Sequence, residues 1–139
     1  MDAAATAHAD IASANVEVIR RIYRAFAEND SATLAALFAD DVAMVQVGRN
    51  ALGGAFQGRQ ALFGHFASIP SHTEALDMQP YDLLAGAGGH VAALNWMTVR
   101  KGGREGRFRV IHLFRIAGGK VAELRSVPED PYGFDAFMA

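Results

Sequence analysis

The chain has 139 residues, a formal net charge of −2 and no cysteine. This length fits one domain with one core. The weak negative charge argues against a nucleic-acid partner, and without thiols the chain can form neither disulfides nor a thiolate metal site. The N-terminus has Asp2 and Asp10 where a signal peptide carries basic residues, and no apolar run is long enough to cross a membrane. We therefore expect a cytoplasmic protein without a membrane partner.

Helical spacing of apolar residues dominates the first half of the chain. Residues 1–14 are predicted to be a disordered tail. The apolar spacing then predicts an amphipathic helix for which Asn15 is the candidate N-cap. A second, short helix is predicted from Ser31, and a third over residues 58–69, ending at Pro70. On this third helix we expect His65 to be exposed, on the side opposite the apolar stripe.

The second half of the chain alternates between apolar and polar residues, which is typical of strands. A first strand is predicted from Val42, between the second and third helices, and glycine turns separate several later strands. Three helices followed by a meander of antiparallel strands indicate an α+β domain, not a parallel α/β sheet. A long sheet with helices on one face is expected to curl around them and to leave a ligand pocket.

One histidine stands in the middle of the segment FRVIHLFRI, residues 108–116. Alternation places His112 on the uncharged face, which we expect to be the interior. The same parity turns Asn95 inward from the neighbouring strand, and Gln46 is expected to line the cavity from the first strand. The apolar part of the predicted wall includes Met44, Met97 and Phe114. This set predicts a pocket for a small, mostly apolar molecule.

His112 has two interpretations at this point. An imidazole titrates near neutral pH and can act as a general acid or base. It can equally be a neutral pocket histidine that is held by one hydrogen bond.

The outer face of the sheet is unusually apolar in the predicted arrangement. Trp96 and Thr98 fall on it together with Ile111 and Leu113. An exposed surface of this kind favours a homodimer through the outer sheet face, and the alternative is scattered surface hydrophobes.

The C-terminal segment YGFDAFM is amphipathic enough to fold over the opening of the pocket. Asp130 and Tyr132 are therefore candidates for contact with a ligand at the mouth. The histidines of the chain lack the spacing of a metal site, and the glycines of GAGGHV precede a strand instead of opening a helix. We expect neither a metal nor a nucleotide cofactor.

Three segments carry a resemblance to a known superfamily; they are IRRIYRAFAENDSATLAALFADDV, GRNALGGAFQGRQAL and HLFRIAGGKVAELRSVPEDPY. They resemble the nuclear transport factor 2-like superfamily in its SnoaL-like and ketosteroid isomerase-like branch. The resemblance implies a single SnoaL-like domain over 15–139, with a cone-shaped, strongly bent antiparallel sheet that three N-terminal helices close around a deep pocket, and it implies a dimer. Arg49, Asn50, Asp130 and Tyr132 match recurrent positions of the pattern and are expected to fix loops at the mouth.

The resemblance also implies positions for catalytic groups. Ketosteroid isomerase-like enzymes move a proton with a carboxylate, while a tyrosine and a protonated acid hold the oxyanion. Counting along the matching motifs, the tyrosine position falls on Ile22, so that Tyr23 should point elsewhere. The carboxylate position falls on Gln46, which cannot take a proton at neutral pH, and the acid position falls on His112.

Two hypotheses therefore stay open. The first is a cyclase or isomerase of a polyketide- or steroid-like substrate, with His112 as acid or base and Asn95 and Gln46 as polarising donors. The second is a noncatalytic protein that binds an apolar metabolite in the same pocket.

Overall fold

The computed structural model describes residues 2–139, which fold into four helices and six strands. The helices are α1 (Ala3–Ala27), α2 (Ser31–Leu37), α3 (Arg59–His72) and α4 (Pro131–Met138). The strands are β1 (Phe38–Gln46), β2 (Gly54–Gln57), β3 (Ala75–Ala85), β4 (His90–Lys101), β5 (Arg104–Ala117) and β6 (Lys120–Pro128). The predicted α+β class is confirmed.

All six strands join one curved, open sheet in the order β2-β1-β6-β5-β4-β3. Irregularities in register, between Pro80 and Asp82 and between Arg115 and Ile116, increase the bending of the long strands. One pair departs from the predicted antiparallel meander, because β1 and β6 run parallel. The reason is the path of the chain: α3 connects one edge strand, β2, to the opposite edge strand, β3, and the returning meander brings β6 beside β1 in the same direction.

Helix α1 begins twelve residues earlier than the sequence pattern predicts. Ala3 is its first residue, and the Asp2 side chain accepts a hydrogen bond from the Ala5 amide at 2.8 Å, so helix replaces the predicted disordered tail over residues 3–14. Asn15 is not an N-cap but a buried residue inside the helix. The physical reason is the alanine-rich composition of this run, which favours helix without requiring a packed face. Met1 lies outside the described residues.

The start of β1 and the end of α3 also differ from prediction by a few residues. Strand β1 starts at Phe38, directly after α2. Helix α3 continues through Pro70 to His72, since a proline in the last turn removes only one hydrogen bond from the helix. The amide and hydroxyl of Thr73 both donate to the carbonyl of Ile69 and close the helix end. Among the described residues, no helix is long and apolar enough to cross a membrane.

The core lies on the concave face of the sheet in two groups. In the first, Ile19 of α1 and Leu62 of α3 pack with strand residues such as Phe114. In the second, Phe134 of α4 packs with Val110 at the other end of the sheet. Both groups contribute to the wall of an interior cavity. The fold thus places helices on the concave side and a cavity between helices and sheet.

Candidate functional site

The concave face encloses a cavity of about 90 Å³, which meets a wider groove of about 650 Å³ between the helices α1–α3 and strand β3. Cavity and groove share the wall residues Tyr23, Phe26, Phe66, Ile69, Leu76 and Met78. A ligand that enters by the groove therefore passes an apolar and aromatic wall before it reaches the interior.

Five of the predicted pocket residues line the interior cavity. They are Met44, Gln46, Met97, His112 and Phe114. The sixth inward residue, Asn95, is fully buried behind this wall and reaches it only through a hydrogen bond to Tyr23.

Tyr23 stands at the centre of the site, although counting along the motifs predicts that it points elsewhere. Its hydroxyl lies 2.6 Å from Nδ1 of His112, and Asn95 Nδ2 donates to the same hydroxyl at 3.0 Å. The wrong prediction has a simple cause. Ile22 is buried as well, so two consecutive positions belong to the inward stripe of α1, and counting by residues cannot separate them.

The hydrogen bonds favour one tautomer of His112. Asn95 Nδ2 also donates to the carbonyl of Ala93 at 3.1 Å, which sets the orientation of the amide. Because Tyr23 Oη accepts from Asn95, its own proton is free to be donated to Nδ1 of His112. In this tautomer the neutral ring carries its proton on Nε2, and His112 is one of the residues that line the cavity.

Burial keeps both titratable partners neutral. It lowers the pKa of His112 to about 4, so the imidazole is uncharged at pH 7. Burial also raises the pKa of the Tyr23 hydroxyl well above its usual range, and the hydrogen bond from Asn95 opposes this only in part. The site is thus a chain of neutral hydrogen-bond donors in apolar surroundings.

Phe114 holds the two rings in place. The ring planes of Tyr23 and His112 are nearly parallel, with an angle of 7° between them. Phe114 meets Tyr23 at 83° and His112 at 90°, with centroid distances of 6.2 and 6.0 Å. Such edge-to-face contacts restrict rotation of the imidazole and support the bond to Tyr23.

A second histidine lines the cavity. His65 is only 7% exposed and stacks on Phe56 of β2 with centroids 4.1 Å apart, so the expectation of an exposed side chain is wrong. Burial, and to a lesser degree the neighbouring His72, lowers the pKa of His65. The spacing of three residues from the buried Leu62 is the sequence signal that would have placed it on the inner face.

Asp130 and Tyr132 do not reach the cavity. Asp130 is the N-cap of α4 and accepts from the Gly133 amide at 2.9 Å, and Tyr132 is 85% exposed. Helix α4 does cover the concave face as predicted, but through Phe134, which lines the cavity. Residues two apart on a helix point in nearly opposite directions, so Phe134 and Tyr132 cannot both face inward.

The loop after β1 is tied to α4. Asp135 Oδ1 accepts from Asn50 Nδ2 at 2.7 Å and from the Arg49 amide at 2.9 Å. The Asn50 side chain thus fixes this loop as expected, whereas Arg49 takes part only through its backbone amide. Asp135 is a partner that the sequence pattern does not single out. Within residues 2–139, no group of three or more histidine and carboxylate side chains is close enough to hold a metal ion.

Comparison with known proteins agrees with this architecture. The profile of a family described as SnoaL-like domain matches residues 19–124. An uncharacterized protein of Mycobacterium tuberculosis is 30% identical over 129 residues, which cover 91% of this chain and 97% of that protein. The solved structure of Bal32a, from a soil-derived mobile gene cassette, superposes with a TM-score of 0.87 at 28% identity, and the match covers 93% of this chain and 99% of that chain. A candidate SnoaL-like polyketide cyclase from Jannaschia has a TM-score of 0.77 at 16% identity, covering 93% of this chain and 94% of its own.

Proposed function

This chain belongs to the SnoaL-like family, and from that premise we propose that it is a cyclase or isomerase acting on a small, mostly apolar carbonyl compound of polyketide or steroid type. One observation carries the proposal. The hydrogen-bonded chain from Asn95 through Tyr23 to His112 leaves the Nε2 proton of a neutral imidazole for a ligand in an otherwise largely apolar cavity.

A neutral imidazole in this setting polarises a carbonyl group. The Nε2 proton donates to the carbonyl oxygen, and the hydrogen bond strengthens as negative charge develops on that oxygen in an enolate-like transition state. Tyr23 holds its proton tightly, because burial raises its pKa. Its role is to fix the tautomer and the orientation of His112.

The proton from carbon needs an acceptor, and the lining of the interior cavity within residues 2–139 contains no carboxylate. Gln46 stands where the resemblance places the carboxylate of the isomerases. His65 is the other imidazole in the wall, and it is kept uncharged by its lowered pKa. We assign His65 the role of proton acceptor.

Exchange of protons for deuterium next to a carbonyl tests this proposal without knowledge of the natural product. Apolar ketones are incubated with the protein in heavy water, and deuteration is followed by NMR. We expect the wild type to accelerate exchange of at least one ketone, and His112→Gln to slow it about 100-fold. His90→Gln is the matched control, because His90 is exposed and outside the cavity wall. Equal rates for wild type and His112→Gln would contradict the proposal.

The second candidate function is binding without catalysis. The observation in its favour is the amide of Gln46 in place of a carboxylate. Native mass spectrometry of the purified protein identifies a retained ligand, which is then incubated with fresh protein. A ligand recovered chemically unchanged, together with no deuterium exchange, would favour a binding protein.

We further propose a homodimer through the outer sheet face. Ile111 and Leu113 are 39% and 37% exposed there, beside Trp96. The guanidinium groups of Arg107 and Arg109 lie over the Trp96 ring, at 3.9 and 4.8 Å from its centroid. The arginines cover the indole and leave the two aliphatic side chains as the open apolar surface.

A further inference from the structure

A row of polar side chains crosses three adjacent strands of the concave face. Gln46 of β1 pairs in register with Ser126 of β6, and Ser126 pairs with His112 of β5. All three residues line the interior cavity. Neighbouring strands are about 4.8 Å apart, so this polar row presents three hydrogen-bonding groups over roughly 10 Å.

Ser126 is the member of the polar row that the sequence pattern does not single out. It is only 2% exposed, and it lies in the cavity wall between Gln46 and His112. A hydroxyl in the cavity wall can donate a hydrogen bond to a ligand atom or accept one from it.

The surroundings of the polar row are apolar. The next row across the same strands consists of Met44, Leu124 and Phe114, which pair in register with one another. Phe26 and Phe66 face the cavity from the helices. A ligand in this cavity therefore finds hydrogen-bonding groups along one edge and apolar contacts elsewhere.

We propose that the polar row of Gln46, Ser126 and His112 binds ligands that carry at least two oxygen functions on one edge and are otherwise apolar. His112 donates its Nε2 proton, whereas the Ser126 hydroxyl and the Gln46 amide can each donate or accept. Ser126 is a ligand-binding residue. The inference rests on the proposed function only for the site of binding, since recognition of this edge does not require turnover.

Two small bicyclic probes of the same shape test the polar row. Phthalimide has two carbonyl groups and an N–H along one edge, and isoindolinone lacks one of the carbonyls. We expect the wild type to bind phthalimide about 5- to 10-fold more tightly, as one additional hydrogen bond allows. In Ser126→Ala this ratio should fall below about 2-fold. Isothermal calorimetry gives both affinities.

Two further variants control the experiment. Ser71→Ala makes the same change at an exposed position of α3 outside the cavity wall and should keep the wild-type ratio. Gln46→Met removes the amide at similar volume and should lower the ratio as Ser126→Ala does. Circular dichroism verifies that each variant is folded, and alanine at a small buried position disturbs packing little.

The possible failures are distinguishable. If the ratio of phthalimide to isoindolinone affinity is unchanged in both Ser126→Ala and Gln46→Met, the polar row does not recognise the ligand. This outcome overturns that proposal alone, whatever the exchange experiment gives. No binding of either probe to the wild type would overturn the proposed recognition by the polar row, and the exchange experiment would decide the proposed function separately. A ratio that falls as expected, without deuterium exchange of any ketone, would support the polar row and overturn catalysis.

Discussion

The hydroxyl of Tyr23 takes part in two hydrogen bonds, as acceptor from Asn95 and as donor to His112. Removing it would leave Nδ1 of His112 without a donor and Asn95 Nδ2 with one acceptor instead of two. The hydroxyl therefore matters both for the stability of the fold and for the tautomer on which the proposed chemistry depends.

Tyr23→Phe keeps the ring but removes this hydroxyl. We expect a loss of about 1–3 kcal/mol in the free energy of unfolding, because buried polar groups lose a partner. Urea denaturation measures the loss. Tyr132→Phe makes the same change at an exposed residue and should stay within about 0.5 kcal/mol of the wild type. If both variants lose equally little, the hydrogen bonds of Tyr23 do not stabilise the fold.

The lowered pKa of His112 makes stability depend on pH. The pKa of an unfolded histidine is 6.5, and the folded value is about 4, so between these values only the unfolded chain binds the proton. Stability should therefore fall as the pH decreases from about 6.5 to about 4, by about 3 kcal/mol in total. Above pH 6.5 the contribution of His112 to the free energy of unfolding is constant, because its imidazole is neutral in both the folded and the unfolded chain. The lowered pKa of His65 acts in the same direction.

The measurement is a series of urea denaturation curves from pH 7.5 down to pH 4.5. His112→Gln has no imidazole at this position, so its stability should fall less steeply over this range. His90→Gln, changed at an exposed site, should follow the wild type. Parallel pH curves for wild type and His112→Gln would show that the folded protein accepts the proton on His112 as readily as the unfolded chain does.

At the scale of the elements, α4 acts as a fixed cover of the cavity. Asp135 ties it to the loop after β1, and Phe134 closes the wall. At its C-terminal end, Lys101 donates to the carbonyl of Met138 and Arg104 donates to that of Phe137 at 3.2 Å. These cations bind carbonyl groups that have no partner within the helix. Lys101 at the end of β4 and Arg104 at the start of β5 thus stabilise the C-terminal end of α4.

Periodicity was sufficient to predict most elements, because burial on one face imposes it directly. Alternation along β5 placed His112 and Phe114 inward, where both line the cavity. Periodicity did not predict two kinds of feature. The helix over residues 3–14 is exposed and follows from composition instead of pattern. The short edge strand β2, over Gly54–Gln57, lies in a segment whose glycines indicate a loop.

The candidate site was less predictable than the fold, because its contacts join distant segments. Tyr23 and His112 are 89 residues apart, and no local pattern predicts that their side chains meet. Likewise, Ser126 acquires its neighbours only through the pairing of β6 with β1 and β5. Sequence alternation gives the face on which a residue lies, whereas the register between strands gives its neighbours.

At the scale of the whole molecule, the two faces of the sheet have different uses. The concave face is covered by helices, and the outer face leaves Ile111 and Leu113 partly exposed. Tyr81, 52% exposed, lies near Trp96 at 6.5 Å between ring centroids and extends the same surface. The proposed homodimer would bury this surface.

Sedimentation velocity tests the dimer. We expect the wild type to sediment as a dimer at micromolar concentration, and Ile111→Glu to sediment as a monomer, because a carboxylate at the centre of the interface would be buried without a partner. Ile11→Glu is the matched control, since Ile11 is 51% exposed on the N-terminal part of α1. A monomeric wild type, or a dimeric Ile111→Glu, would exclude this interface.

The parallel pairing of β1 with β6 bears on how the protein acquires its binding site during folding. The meander from β3 to β6 forms between neighbours in sequence, whereas β1 meets β6 only when the loop that contains all the other strands has closed. Closing so long a loop is entropically costly, and such contacts form late. The polar row is split across this closure, with Gln46 on one side and Ser126 and His112 on the other. A ligand that spans the polar row would therefore hold β1 and β6 together, and its strongest protection against unfolding should fall on β1 and its neighbour β2.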